Sequence, residues 1–335
     1  MRGWVQMEIP PPRQAISDDS VTVLIAAYNS GPFLHRAVHS ALNQTWPPLE
    51  VLIIDDGSTD NTAEVARKLQ LADSRVHLLL LPENGGPARA RNAGLGVARG
   101  EWVAVLDADD AFLPERLERL TRAGRELNAD IVVDNFAWYD AATDSVGSPG
   151  IPPSPVVKTI GKHEFVAQAR PDTDQVDWGL LKPMFRRRFI DERNLRYPAF
   201  SRHGEDFLFM MDLLMAEGRY VLVQTPGYLY TSRASGMSRT RVDYDAMAAH
   251  SVDLLRRDPI RSDERLKRLL WRRVFAIRRL SAEHKLRSCR DARSYRRVAR
   301  LMLADHWVAY AILRSGLRKS RGWIRERFGR KAVRC

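Results

Sequence analysis

The stretch Val51-Leu52-Ile53-Ile54-Asp55-Asp56-Gly57-Ser58 joins four consecutive aliphatic residues to two carboxylates and a turn. An apolar run of this length, bounded by turn residues, is typical of a fully buried strand. Comparable runs lie at 21–27, 76–81, 102–106 and 130–134, and residues with helical spacing fill 32–44, 61–71, 87–98 and 114–127. This alternation predicts an α/β fold with a mostly parallel central sheet and helices on both faces.

Polar clusters come directly after these strands, at the edge where open α/β sheets bind ligands. They are Tyr28-Asn29, Asp55-Asp56, Asn84-Gly85-Gly86 and Asp107-Ala108-Asp109-Asp110. Three carboxylates within four residues repel one another, and a divalent cation would offset that repulsion because hard metals prefer carboxylate oxygens. Taken alone, the last cluster favours a solvated turn that caps the helix starting near Pro114. Its place at the same edge as Asp55-Asp56 favours a metal–nucleotide site.

Several familiar site motifs are missing from the sequence. No dinucleotide-binding glycine fingerprint follows the first strand, and neither a P-loop nor a Gly-x-Ser-x-Gly nucleophile elbow occurs. The eight histidines show no zinc-ligand spacing. The two cysteines, Cys289 and Cys335, indicate no disulfide framework or metal cluster and favour a reducing compartment.

Together with their flanking residues, the polar clusters resemble the motifs of a known protein family. Residues 23–29, 55–60, 84–92 and 106–110 follow in the order and at the spacing of one family. The chain resembles the family 2 inverting glycosyltransferases with a GT-A fold, closely over 20–135 and more loosely to about 240. The resemblance implies a catalytic domain at 21–240, with a nucleotide-sugar half at 21–135 and an acceptor half at 136–240.

The resemblance implies a role for each matching residue of the first half. Asp56 and the backbone of Ala27, Tyr28 and Asn29 would hold the uracil and ribose of a UDP-sugar, and Arg91 would also face the nucleotide. Asp107 would contact the ribose or sugar. Asp109, with Asp107, would ligate Mn²⁺ or Mg²⁺ bridging the diphosphate, and the metal would stabilise charge on the departing UDP. Asp110 is assigned no role.

In the second half, His203-Gly204-Glu205-Asp206 resembles the Glu-Asp motif of the family, whose Asp is the catalytic base. Asp206 would take the proton from the acceptor hydroxyl as that oxygen attacks the anomeric carbon. An α-linked donor would then give a β-linked product. Without the upstream motifs, Glu205-Asp206 fits an ordinary acidic first turn that complements a helix dipole.

Other residues of the second half are candidates for contacts with substrate. Many relatives place a histidine near the diphosphate in the loop after the base, where this chain has Arg233, and an arginine can neutralise a diphosphate. Trp178 and Trp138 are candidates for stacking on an acceptor sugar, although we expect at least one of them to pack in the core. The Gln-x-x-Arg-Trp motif of processive synthases is absent, which favours transfer of a single sugar over polymerisation.

Positive charge is concentrated at the carboxyl end of the chain. The net charge is +12, yet residues 256–335 hold 26 Lys and Arg against 7 Asp and Glu. This asymmetry indicates a polyanionic partner, either nucleic acid or the anionic leaflet of a membrane. Residues 241–335 are predicted to be basic and helical, with packing on the body favoured for 262–286 and membrane contact for 306–331. Residues 1–20 are predicted to be a flexible segment without the apolar core of a signal peptide.

The sequence therefore predicts a cytoplasmic glycosyltransferase that lies peripherally on the inner face of the membrane. It would move one sugar from a UDP-sugar to a lipid-diphosphate-linked oligosaccharide. The layout looks most like bacterial succinoglycan-type glucosyltransferases, which implies UDP-glucose and exopolysaccharide synthesis. Alternatives are another donor sugar with a cell-envelope glycan as acceptor, a nucleic-acid-binding protein, a sugar-nucleotide pyrophosphorylase and a degenerate scaffold. Nucleic-acid binding is disfavoured because the acidic body would repel phosphate. A pyrophosphorylase is disfavoured because its glycine-rich first loop is missing, and a degenerate scaffold because Asp107, Asp109 and Asp206 are intact.

Overall fold

Four parallel strands form the first half of the sheet in the computed structural model, which describes residues 17–171, 176–232, 242–291, 305, 307 and 310. The strands are β1 (Val21–Ala27), β2 (Glu50–Asp55), β3 (Val76–Leu80) and β4 (Trp102–Asp107), and they lie in the order β3-β2-β1-β4. The connecting helices are α1 (Gly31–Leu42), α2 (Thr62–Ala72) and α3 (Pro87–Leu95). The central strands read as continuous apolar runs because they are buried on both faces.

The second half of the sheet mixes parallel and antiparallel strands. It contains β5 (Ala111–Phe112), β6 (Ile131–Asp140), β7 (Ser145–Pro149), β8 (Val157–Ile160), β9 (Pro183–Arg186) and β10 (Tyr220–Ser232). The order continues β4-β9-β6-β10-β5, with β9 antiparallel to both neighbours and β10 parallel to β6. The helices of this part are α4 (Arg116–Glu126), α5 (Lys162–Gln168), α6 (Arg187–Glu192) and α7 (Glu205–Met215).

The predicted α/β fold with a central sheet is confirmed, and the structure adds antiparallel strands that the sequence did not reveal. The proline-rich stretch 147–155, which reads as a loop, begins inside β7. The basic segment 182–188 supplies β9, which pairs with β4 on one side and β6 on the other. Both strands are short and contain proline, and β9 also ends in an arginine. They carry little apolar–polar alternation, so only their tertiary pairing makes them strands.

A buried ion pair ties α4 to the second half of the sheet. Arg116 is fully buried, and its Nε and Nη2 donate to the Asp134 carboxylate at 2.9–3.0 Å. The same Nη2 donates to the backbone carbonyl of Lys182 at 2.8 Å. The guanidinium also lies over the Phe112 ring, 4.2 Å from its centroid. Burial raises the pKa of Asp134 although Arg116 opposes the shift, so this carboxylate depends on its partner.

The chain divides into two units, Met1–Val242 and Asp243–Cys335. In the second unit, α8 (Tyr244–Leu254) packs against α9 (Glu264–Asp291), and Leu266, Leu270, Val274 and Ile277 form the buried face of α9. The predicted membrane helix at 306–331 lies outside the described residues, apart from Trp307 and Tyr310. Among the described helices, none combines the length and the apolar character needed to span a bilayer.

Candidate active site

The loops after β1 and β2 are locked together at the carboxyl edge of the sheet. The backbone N–H of Asn29 donates to Ser58 Oγ at 3.0 Å, and Asn29 Oδ1 accepts from the Thr59 N–H at 2.8 Å. Asn29 adopts a φ of 49°, a conformation that asparagine tolerates better than most residues. Its neighbour Tyr28 leaves 44% of its surface exposed, whereas Ala27 is buried at the end of β1. The arrangement presents an exposed aromatic ring beside a rigid polar turn.

Asp56 connects the loop after β2 to the loop after β3. The side chain is buried, and its two oxygens accept from the N–H groups of Gly85 (3.0 Å) and Gly86 (2.7 Å). Burial raises the pKa of Asp56, and these two hydrogen bonds oppose the shift. Gly57 has a φ of 68°, and a Cβ there would meet the backbone of Glu83 at 2.6 Å. Only glycine therefore allows the two loops to approach so closely.

Arg91 of α3 reaches three carboxylates from a fully buried position. Its Nη2 donates to Asp107 Oδ1 at 2.9 Å, and its Nη1 donates to Asp206 Oδ1 at 2.7 Å and to Glu205 Oε1 at 3.1 Å. Asp107 ends β4, whereas Glu205 and Asp206 open α7 behind Gly204. The arginine thus joins the end of the parallel sheet to a helix more than a hundred residues further along the chain.

Lys182, just before β9, makes the same connection on the opposite side. Its Nζ lies 2.8 Å from Asp107 Oδ2 and 2.8 Å from Asp206 Oδ2, and its side chain is buried. Burial acts against the charged forms, yet the lysine and Arg91 hold the pKa of Asp107 well below its usual range. The two carboxylates likewise raise the pKa of Lys182 despite its burial. The four side chains form a closed set in which positive and negative charges alternate. We call this set the charge ring; it consists of Arg91, Asp107, Lys182 and Asp206.

The acidic turn after β4 is anchored on β10. Asp110 is buried, and its carboxylate accepts from the Tyr228 hydroxyl at 2.7 Å and from the Thr231 N–H at 2.8 Å. Burial, with the nearby charge of Asp107, raises the pKa of Asp110 to about 7. Asp109 has a partly exposed side chain, and its carbonyl accepts from Thr231 Oγ1 at 2.6 Å. Asp110 thus holds the turn, while Asp107 and Asp109 are presented beside it.

Glu205 lies at the border of the charge ring. Burial is the largest cause that raises its pKa to about 7, and the charge of Asp206 adds to it, while Arg91 and Lys182 oppose the shift. A carboxyl with a raised pKa in the folded state keeps a proton that the unfolded chain releases. Between about pH 4.5 and 7, this residue therefore lowers the free energy of unfolding as the pH rises.

Glu205→Gln is expected to remove that dependence. The variant should gain stability relative to the original protein as the pH is raised from 5 to 8, because glutamine never carries the buried charge. Urea unfolding at both pH values measures the difference, with the exposed Glu126→Gln as a matched control that should leave the pH profile unchanged. An identical pH profile for Glu205→Gln and the original protein would contradict the assignment.

The donor chemistry at this edge fits a hard divalent cation. Among the described residues no three His, Cys, Asp or Glu side chains are grouped as a metal site. Both oxygens of Asp107 bind cationic side chains, and Asp109 on the same turn has a partly exposed side chain. Mg²⁺ sites commonly combine one or two protein carboxylates with substrate phosphates, so a pair of residues is sufficient.

The other predicted site residues lie in several environments. Trp178 is buried in a 3₁₀ turn (Trp178–Leu180) and lines a narrow slot that Asp206 also borders. Trp138 packs edge-on against Phe136 and Tyr230, with ring centroids 5.0 and 5.2 Å apart. Arg233 lies outside the described residues.

Lys182 is the site residue that sequence reasoning missed. It opens the segment Lys182-Pro183-Met184-Phe185-Arg186-Arg187-Arg188, whose arginines read as surface or lipid-phosphate contacts. Arg186 instead donates to Glu101 at 3.1 Å and lies over the Trp102 ring, while Arg187 donates to the Gly100 carbonyl. One signal was available, since a lysine just before an apolar Pro-Met-Phe run is poorly placed for solvent.

Comparison with known proteins places this site in a family. Residues 22–214 match the family described as Glycosyl transferase family 2. The succinoglycan biosynthesis protein ExoO of Rhizobium meliloti (strain 1021) is 36% identical over 74% of this chain and 71% of its own length. ExoU of the same organism, also described as a succinoglycan biosynthesis protein, is 34% identical over 71% of this chain and 70% of its own.

A solved structure supports the same fold. S. aureus TarS 1-349 in complex with UDP-GlcNAc aligns with a TM-score of 0.57 and 24% identity, over 71% of this chain and 67% of the TarS chain. The chain therefore belongs to glycosyl transferase family 2 and has the GT-A fold. It is a glycosyltransferase.

Proposed function

We propose that this protein is an inverting transferase that binds a UDP-sugar at the carboxyl edge of β1, β2 and β4. The locked turn at Tyr28-Asn29 and the buried Asp56 would hold the uridine, with the exposed Tyr28 ring beside the base. Arg91 and Asp107 would face the ribose and sugar. The UDP named in the TarS structures supports this choice of donor class.

The proposed reaction is a single displacement at the anomeric carbon. The acceptor oxygen forms a bond to that carbon, the bond to the diphosphate breaks, and UDP leaves with the electron pair. Asp206 takes the proton of the acceptor hydroxyl. A carboxylate has about four lone-pair positions, and Arg91 and Lys182 occupy one on each oxygen, so Asp206 keeps positions for the hydroxyl.

The observation that carries this proposal is the charge ring. Asp107 lies on the nucleotide-sugar side of the site and Asp206 on the acceptor side, and the same two cations bind both carboxylates at 2.7–2.9 Å. A base that acts on the acceptor must stand within reach of the donor sugar. The ring fixes that relation through buried, directional, charge-assisted contacts.

A divalent cation is proposed as a partner of the donor. Members of family 2 commonly use one, and Asp109 with Asp107 would hold Mn²⁺ or Mg²⁺ here. The bound metal would stabilise negative charge on the departing diphosphate. Arg233, just beyond β10, is proposed to contact the same diphosphate, and Trp178 to border the acceptor site.

Glucose from UDP-glucose is the proposed donor, and a lipid-diphosphate-linked oligosaccharide is the proposed acceptor. The succinoglycan biosynthesis proteins ExoO and ExoU, which align over about 70% of this chain, support a place in exopolysaccharide synthesis. Another donor sugar remains the second candidate, since the TarS structure contains UDP-GlcNAc. A lipid-linked acceptor implies a cytoplasmic enzyme that works peripherally at the inner face of the membrane. The proposed domains are 21–240 for catalysis and 241–335 for the basic helical region.

UDP release by the purified protein tests the proposal. We expect release from one sugar in a panel of UDP-sugars, faster with Mn²⁺ than with EDTA and faster again with a membrane lipid extract that supplies acceptor. Asp109→Ala should lose the stimulation by metal, whereas Glu126→Gln on the exposed face of α4 should keep it. The proposal fails if no nucleotide-sugar is turned over under any of these conditions.

A further inference from the structure

An exposed stripe runs along α9 on the side opposite its buried face. Its members share high exposure and either positive charge or an aromatic ring, and they are Arg265, Arg268, Trp271, Arg272 and Phe275. We call them the aromatic–arginine stripe. The buried face of α9 is formed by other residues, among them Leu266, Val274 and the buried Arg273. Within the described helices, the stripe therefore lies on the side of α9 that faces away from α8 and the buried residues.

Two large aromatic side chains stand in solvent on this stripe. Trp271 is 46% exposed and Phe275 is 54% exposed, and their ring centroids lie 6.3 Å apart, one helical turn from each other. Phe275 also contacts the ring of Trp307 at 5.0 Å, and Trp307 contacts that of Tyr310 at 6.0 Å. Tyr310 is itself about half exposed. The rings thus form one continuous apolar patch instead of isolated exposed residues.

Three arginines flank the aromatic rings. Arg265, Arg268 and Arg272 follow one another at three- and four-residue steps, so they lie along the same side of the helix. Within the described part of the chain, none of the three has an ion-pair partner, whereas Arg278 on the inner side pairs with Asp245. Their positive charges are therefore available to a partner.

We infer that the aromatic–arginine stripe docks on an anionic lipid bilayer. Tryptophan and phenylalanine favour the boundary between headgroups and acyl chains, and arginine binds lipid phosphates from that depth. Each arginine near an anionic surface adds a favourable contribution, and the excess of basic residues over 256–335 acts in the same direction. A nucleic acid fits less well, since the rings stand on the outside of a helix and do not line a groove that follows a phosphate backbone.

This inference rests on the proposed function for its purpose, since an acceptor embedded in a bilayer requires the enzyme to work at that surface. Its test, however, needs no sugar transfer. Full-length protein is sedimented with vesicles of phosphatidylcholine, or of phosphatidylcholine and phosphatidylglycerol in equal parts. We expect binding to the anionic vesicles only, and weaker binding as the salt concentration rises.

Two groups of substitutions separate the contributions of charge and apolar contact. Combining Arg265→Gln, Arg268→Gln and Arg272→Gln is expected to weaken partitioning about 100-fold, from roughly fivefold per arginine. Combining Trp271→Ser and Phe275→Ser is expected to weaken it about tenfold or more. Two controls on α2 replace an exposed arginine and an exposed apolar residue, as Arg67→Gln and Leu71→Ser, and should bind as the original protein does.

Three results would overturn the inference. The first is that the stripe variants bind anionic vesicles as well as the original protein does. The second is that the original protein binds neutral and anionic vesicles equally well. The third is that duplex DNA, at matched phosphate concentration, displaces the original protein from the vesicles. UDP release in vesicle-free buffer is measured in parallel, and the stripe variants should retain it. If the original protein releases UDP but does not bind anionic vesicles, the docking inference fails. If it binds anionic vesicles but turns over no nucleotide-sugar, the proposed function fails.

Discussion

Asp206→Asn is expected to lower kcat for sugar transfer by about 10²–10⁴-fold, because asparagine cannot take the proton of the acceptor hydroxyl. The change is nearly isosteric, and its amide oxygen can still accept from Arg91 or Lys182. We therefore expect KM for the donor to change much less than kcat. Initial rates of UDP release with saturating acceptor measure both constants.

Two further variants show whether the loss belongs to proton transfer. Asp212→Asn makes the same chemical change later in α7 and should leave kcat within a factor of two or so. Lys182→Met keeps the Asp206 carboxylate but removes one of its partners, so its main effect should be on the position of the base and on stability. If Asp206→Asn retains most of its activity, another residue must accept the proton.

Arg116→Met is expected to destabilise the catalytic unit by about 3–5 kcal/mol, because it leaves the Asp134 carboxylate buried without its partner. For a unit of this size, a loss of that order lowers Tm by roughly 6–20 °C. Thermal and urea unfolding measure the change. The same substitution frees the Lys182 carbonyl, so part of the effect should reach the charge ring.

The matched control lies on the same helix. Arg122 pairs with Glu118 at the surface, 2.6 Å apart, and Arg122→Met should cost no more than about 1 kcal/mol because solvent screens the pair. Replacing both partners of the buried pair, as Arg116→Met with Asp134→Leu, should restore part of the stability that Arg116→Met loses. Equal losses for Arg116→Met and Arg122→Met would show that burial does not govern the strength of these pairs.

The first half of the fold was predictable because its signals are local. Each parallel strand is a continuous apolar run, and a helix with regular apolar spacing follows it. For β1, the strand predicted from the sequence and the strand in the structure cover the same residues, 21–27. The second half was less predictable because β9 is defined by its neighbours. It has four residues, begins with proline and ends with arginine, and it becomes a strand only between β4 and β6.

The candidate site divides in the same way. The sequence predicts Asp56, Arg91, Asp107 and Asp206 as site residues because they stand in local motifs near strand or helix ends, and the structure places them at one edge of the sheet. Their mutual contacts were not found, since no local pattern shows that Arg91 and Asp206, 115 residues apart, share a hydrogen bond. Lys182 belongs to no motif at all, and only the antiparallel course of β9 brings its ammonium group to Asp107. Long-range electrostatic pairing is the part of this site that a linear pattern does not encode.

The charge ring also sets a rule for building chimeras from this chain and its relatives. An exchange of residues 136–240 alone would transfer Lys182 and Asp206, while Arg91 and Asp107 would stay with the recipient chain. If the inserted segment has a neutral residue at position 182, two carboxylates face one cation. The hybrid protein would then lose stability, whatever its sugar preference. Segment swaps that test the proposed acceptor site should therefore keep all four residues fixed and vary the slot around Trp178.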